Sequence, residues 1–97
     1  IYYYGMSGQM KTMLDRGNPL YASDYAFREV YLLAAAAEEE EHTMDGAVNG
    51  LRGWLACFPK ARLAGTVFGG GVDVAGAIKE HPALQKAYEM GMAVSNG

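Results

Sequence analysis

Arg28-Glu29-Val30-Tyr31-Leu32-Leu33-Ala34-Ala35-Ala36-Ala37-Glu38-Glu39-Glu40-Glu41-His42 is the stretch whose reading decides the fold. Leu, Ala and Glu are all strong helix formers, so residue type alone permits a helix. Against that, Val30 to Ala37 is apolar without a stripe, and Glu38 to Glu41 would sit at a helix C-terminus, where the dipole disfavours negative charge. A continuous apolar run that ends in a polar cluster is how a central parallel strand, buried on both faces, reads. The segment is therefore assigned as a strand running into an acidic loop. The rival assignment, a helix over Tyr25 to Glu41, would make the chain a small non-catalytic α-rich interaction module.

Working outward, Met44, Val48, Leu51, Leu55 and Phe58 recur at intervals of three and four before Pro59, the pattern of an amphipathic helix that covers a sheet. Gly46, Gly50 and Gly53 each weaken that helix by roughly 1 kcal/mol relative to Ala, so their use is to admit close approach of a neighbouring backbone. Arg62 to Phe68 reads as another buried strand running into Gly69-Gly70-Gly71. Pro82 suits the first position of a last helix, with Leu84, Ala87, Tyr88, Gly91 and Val94 on one face.

Upstream, Ile1 to Tyr4 is β-branched and aromatic and stops at Gly5, so it reads as the end of a strand entered part-way. Ser7 offers an N-cap to a helix carrying Met10, Met13 and Leu14, which Gly17 and Pro19 end. Strand, helix, strand, helix, strand, helix is the alternation that builds a parallel sheet covered by helices, an α/β fold. Ligands of such sheets bind beyond the carboxyl ends of the strands. Tyr2 to Ser7, Ala36 to His42 and Gly69 to Asp73 occupy that rim.

The whole chain, residues 1–97, is one small domain or part of one: it has 51% hydrophobic and 20% charged residues, too apolar for disorder. A domain of this size buries only roughly 60 to 65% of its unfolded surface, which leaves a thin margin of stability. Eight Lys and Arg against eleven Asp and Glu give a formal charge of −3, which excludes a general attraction to nucleic acid or anionic lipid. No run reaches the roughly 18 apolar residues of a membrane span. The single Cys57 forms no internal disulfide and reads as a small buried hydrophobe of a cytoplasmic protein.

Three consecutive tyrosines followed by Gly5, Met6 and Ser7 bring flat rings, a close backbone and free N–H groups into one turn, which suits a planar heteroaromatic ligand. The alternative is that alternate rings simply pack into the core. Glu38 to Glu41 with His42 reads as a solvated acidic loop, because consecutive residues cannot all face one ion, and no metal ligand is assigned. Gly69 to Gly76 lacks the pattern of a phosphate-binding P-loop. Lys11 and Arg16 read as surface charges, and His81 as a helix-start residue.

Met6-Ser7-Gly8-Gln9-Met10-Lys11-Thr12-Met13-Leu14-Asp15-Arg16 resembles a segment of the flavodoxin-like reductases that use FMN and NAD(P)H. In that family the third strand ends in an aromatic-rich turn, and the next helix carries Ser-Gly-x-Met-Lys and then Leu/Ile-Asp-Arg. Asn18-Pro19-Leu20, the strand with its acidic loop, Trp54, Leu63 to Gly71 and His81-Pro82-Ala83-Leu84 follow in the family's order. The resemblance implies the C-terminal half of a parallel three-layer flavodoxin-like sandwich, strands 3 to 5 with flanking helices. It lacks the Gly/Ser/Arg-rich loop that binds the FMN phosphate.

The implied activity is hydride transfer from NAD(P)H to bound FMN and on to a small-molecule electron acceptor. FMN would lie between Tyr2, Tyr3, Tyr4, Gly5, Met6, Ser7 and Gly8 on one side and Ala36, Ala37 and Glu38 on the other. No catalytic residue is implied, since the cofactor carries the chemistry. A third strand without its neighbour leaves an apolar edge open, so the chain is expected to associate as a homo-oligomer, in the simplest case a dimer.

Overall fold

A computed structural model describes residues 1–96. The chain runs through α1 (Gly8–Asp15), β1 (Glu29–Ala35), α2 (Asp45–Leu55), β2 (Arg62–Gly69) and α3 (Pro82–Asn96). Short 3-10 turns lie at Asn18–Leu20, Glu41–Met44 and Ala77–Glu80. The stretch that decides the fold is a strand: β1 lies parallel to β2, in register from Glu29 opposite Arg62 to Ala35 opposite Gly69. Residues 29–35 therefore do not form the helix that the rival assignment requires.

Val30 faces Leu63 and Tyr31 faces Gly65, so Ala64 is an extra residue on β2. Such a bulge resets which side chains face which side. Before it, Leu63 packs with Val30 against the core of Leu14, Leu32, Leu51 and Leu55, which α1 and α2 share with β1. After it, Gly65 turns to the face of Tyr31, where its missing Cβ leaves room for Met90 of α3. Gly69, four residues on, takes Ile78 and Ala83 in the same way.

At the amino ends of the strands, Tyr25, Phe27, Trp54 and Phe58 form one aromatic cluster, with ring centroids 4.4 Å apart for Trp54 and Phe58 and 5.8 Å apart for Phe27 and Trp54. Its polar atoms are engaged: Trp54 Nε1 donates to the Leu14 carbonyl at 2.8 Å, and the Lys60 N–H donates to the Tyr25 hydroxyl at 2.9 Å. This cluster ties the end of α1 and the approach to β1 to α2. Tyr25 and Phe58 are buried in it and Phe27 and Trp54 half-buried, and aromatic rings with satisfied polar tips supply much apolar burial to a short chain.

The strand expected at Ile1 to Tyr4 is corrected. Tyr2 and Gly5 exchange both backbone hydrogen bonds, at 2.9 and 3.0 Å, and close a two-residue turn over Tyr3 and Tyr4. Strand propensity expresses packing against neighbours, and these rings have no neighbouring strand to pack on. Only Ile1 reaches the sheet, its ammonium donating to the Ala35 carbonyl at 2.7 Å. In place of strands 3 to 5, the described residues hold a sheet of two strands.

Candidate functional site

The carboxyl ends of β1 and β2 gather three segments: the tyrosine turn, the start of α1 and the loop after β1. Among the described residues the turn holds the non-glycine positions of positive φ, Tyr3 at 49° and Tyr4 at 60°, a region that residues bearing a Cβ rarely occupy. Two positive φ values at the centre of a reciprocally bonded turn mark the I′ type, which ordinarily takes Asn and Gly. The consequence is exposure. Tyr3 is fully open to solvent, and Tyr2 and Tyr4 keep 67% and 59% of their surface.

Glycines of α2 seat this segment. A Cβ at Gly46 would overlap the carbonyl oxygen of Tyr4, and one at Gly50 would come within 2.7 Å of the Met6 methyl. The close approach of backbone expected of these glycines is found at Gly46 alone: Gly50 meets a side chain, and Gly53 has nothing near it. Ser7 caps α1 as the sequence suggests, its Oγ accepting from the Met10 N–H at 3.1 Å. The N–H groups of Gly8 and Gln9 precede the first intrahelical donor, Lys11.

The second expected wall is held from the β2 side. The Ala36 N–H donates to Gly69, and its carbonyl accepts from Val72 at 3.0 Å; the Glu38 carbonyl accepts from Gly71 at 2.9 Å. Gly70 sits under this loop, where a Cβ would strike the carbonyls of Glu38 and Glu39. His81 anchors the same corner. Its Nδ1 accepts from the Ala83 N–H at 3.0 Å, so its Nε2 carries the proton and donates to the Gly70 carbonyl at 2.8 Å. Ala36 is buried, while Ala37 and Glu38 are exposed.

The expected site residues thus share one rim, joined through the Ile1–Ala35 bond and the Gly46 contact, but do not enclose a common pocket. The main cleft, of about 310 Å³, runs along the outer edge of β1 beside α1. Tyr2, Met6 and Ser7 line it; Tyr3, Tyr4, Gly5, Gly8, Ala36, Ala37 and Glu38 do not.

Other assignments are settled case by case. His42 pairs with the Glu40 carboxylate at 3.1 Å in solvent, and Lys11 with Asp15 at 2.6 Å on the α1 surface. Cys57, expected to be buried, is exposed, because α2 ends before it and turns its side chain out of the cluster. The described residues contain no group of three or more His, Cys, Asp or Glu arranged to hold a metal ion, and no helix long and apolar enough to cross a membrane. Sequence reasoning missed the cluster of Tyr25, Phe27, Trp54 and Phe58; the short spacing of Tyr25 and Phe27 before β1 is its one local signal. No family model, no curated protein and no solved structure matches this chain.

Proposed function

We propose that the chain works in an FMN-dependent oxidoreductase of flavodoxin-like, three-layer architecture, taking electrons from NAD(P)H and passing them to a small-molecule acceptor in the cytoplasm, as a homo-oligomer. The observation that carries this reading is the tyrosine turn: a costly backbone conformation holds the Tyr3 ring wholly in water at the carboxyl rim of a parallel sheet. Strain kept at an exposed position invites a ligand as its reason, and the rim is where ligands of such sheets bind. A bound flavin would supply hydride-transfer chemistry of its own.

The residues present fit a flat ring. Tyr2, Tyr3 and Tyr4 offer exposed faces for stacking, and the loop from Ala36 to Glu38, pinned by Gly71 and Val72, lies on the same rim without closing a pocket with them. Their task is to bind and orient. Neither acid nor base is asked of them, and the N–H groups of Gly8 and Gln9 give the rim a neutral set of donors.

Quenching of flavin fluorescence on titrating FMN with the purified chain tests the reading. Saturable quenching is expected, with affinity lowered about tenfold by Tyr3→Ala, the scale of one lost aromatic stack, while circular dichroism stays unchanged. Absence of quenching, or unaltered affinity in Tyr3→Ala, would overturn the assignment.

A further inference from the structure

We propose that His81 is an acid-released latch on the rim loop after β1: its neutral imidazole ties the start of α3 to the peptide between Gly70 and Gly71, and a proton on the ring undoes both ties. Each ring nitrogen has a set role. Nδ1 accepts from the Ala83 N–H at 3.0 Å and Nε2 donates to the Gly70 carbonyl at 2.8 Å, a pair of bonds that only the neutral ring with its proton on Nε2 can make. The same peptide unit continues the series, since the N–H that follows the Gly70 carbonyl is that of Gly71 and donates to the Glu38 carbonyl at 2.9 Å. One imidazole thus holds a helix start, a glycine ribbon and the rim loop in line.

The parts on either side of the ring are packed. Ala83 is 5% exposed, and its methyl group lies 3.7 Å from where a Cβ of Gly69 would stand; Gly70 is buried beneath the Glu38 and Glu39 carbonyls. A backbone N–H in so closed a place needs an acceptor, and the ring supplies it. Farther along the ribbon, Ala36 donates to Gly69 and accepts from Val72, so the loop from Ala36 to Glu38 is fastened to residues 69–72. This corner lies on the β2 side of the sheet, whereas Ile1 bonds to β1, and all of its parts are among the described residues.

Imidazole is the side chain whose charge ordinarily changes between about pH 5 and pH 8. A proton added at Nδ1 faces the Ala83 N–H, donor against donor, so the ring must turn away and Nε2 leaves Gly70 with it. The charged residues of the surrounding segments are Glu38 and Glu39 on the rim loop, Asp73 after β2, Lys79 and Glu80 just ahead of His81, and Lys86 on α3. All are exposed, and among the described residues none is ion-paired with His81. The charged ring therefore has no carboxylate to hold it in place and takes its solvation from water. The unfolded chain binds the same proton without losing these bonds, so acid weakens the corner and alkali restores it. The latch acts on the rim whatever binds there and does not rest on flavin.

Nuclear magnetic resonance of the full chain, titrated from about pH 8 to about pH 5, tests the latch without any ligand. At the alkaline end the ring nitrogens of His81 are expected to show the tautomer protonated at Nε2. As the ring takes its second proton, the Gly71 and Ala83 amide resonances should move with the same midpoint. Protection of the Ala83 amide from hydrogen exchange should fall about tenfold, the scale of one lost hydrogen bond, while the Leu32 and Leu51 amides keep theirs. His81→Asn leaves an acceptor for the Ala83 N–H but has no proton to gain, so its Gly71 and Ala83 amides should not respond to pH. His42→Gln removes the other imidazole of the chain and should titrate as the parent does. If His81→Asn fails to fold, the shared midpoint in His42→Gln decides. A ring protonated at Nδ1 in alkali, amides indifferent while His81 titrates, an unchanged response in His81→Asn, or a ring still neutral when the whole chain unfolds in acid would each overturn the proposal.

Discussion

Tyrosine has opposite fates at the two ends of this sheet. Tyr25, at the amino end, is 8% exposed: it lies 4.9 Å from Phe27 and 5.1 Å from Phe58, and its hydroxyl accepts a backbone N–H. Tyr3, at the carboxyl end, is bare and rests on a backbone conformation that disfavours it. Residue type is the same, so the surroundings make the difference. Below, the chain returns through Trp54 and Phe58 to roof the rings; above, Gly46 of α2 approaches the turn, and it approaches backbone. One end holds the molecule together, and the other is left available.

The sharpest break of this comparison is Phe58→Ala. Phe58 is 2% exposed and touches three other rings, so its truncation should cost about 3 to 5 kcal/mol in denaturant unfolding, enough to unfold much of so small a domain. Tyr3→Ala should move stability by no more than about 0.5 kcal/mol. Equal losses at the two positions would mean that the rim is packed after all.

Two glycines of α2 divide next. Gly46→Ala gains about 1 kcal/mol of helix propensity but sets a methyl group against the Tyr4 carbonyl, and overpacking of that kind costs about 1 to 3 kcal/mol. A net loss is expected, with the tyrosine turn displaced and FMN quenching weakened. Gly53→Ala meets nothing and should stabilise by up to about 1 kcal/mol. Thermal unfolding of the pair reads the contrast directly.

The turn itself can be relaxed. Replacing Tyr3 by Asn and Tyr4 by Gly installs the residues that a I′ turn prefers and should raise stability by about 1 kcal/mol. If FMN affinity falls as stability rises, the strain is retained for binding. If both rise, the tyrosines serve some other end.

These contrasts also explain what the sequence could disclose. The strands and α2 were legible as elements because apolar runs mark them, Leu51 and Leu55 on one helix face; the burial read for β1 was not, since in a sheet of two strands it is an edge strand with Leu33 and Ala35 exposed and only Leu32 buried, not a central strand covered on both faces. Gly46 was legible as a backbone contact point, but the same reasoning fails at Gly53, which meets nothing, and at Gly50, which meets only the Met6 methyl. Ile1 to Tyr4 misled because alternation and β-propensity describe a strand only when another strand lies beside it. The aromatic cluster escaped notice because Phe27 and Trp54 meet only through the fold, and Ala64 carries no mark of a bulge. The rim was legible as a place, since parallel strands define it, but not as a pocket, which depends on what stands around it.

The smallest expected effect lies at the other end of β1. The Tyr31 hydroxyl donates to Glu29 Oε2 at 3.3 Å, and Glu29 also holds Arg62. Partial burial first, and then the charge and hydrogen bond of Glu29, push the phenol above its ordinary value of 10.0, with Arg62 pulling the other way. The folded chain therefore keeps the Tyr31 proton to higher pH than the unfolded chain does. Below pH 10 both states are protonated and stability is indifferent; as pH rises through the raised pKa, the unfolded state has already ionised and stability falls. Glu29→Gln removes the charge and should bring the phenol partly back, which the ultraviolet difference spectrum against Tyr31→Phe reads.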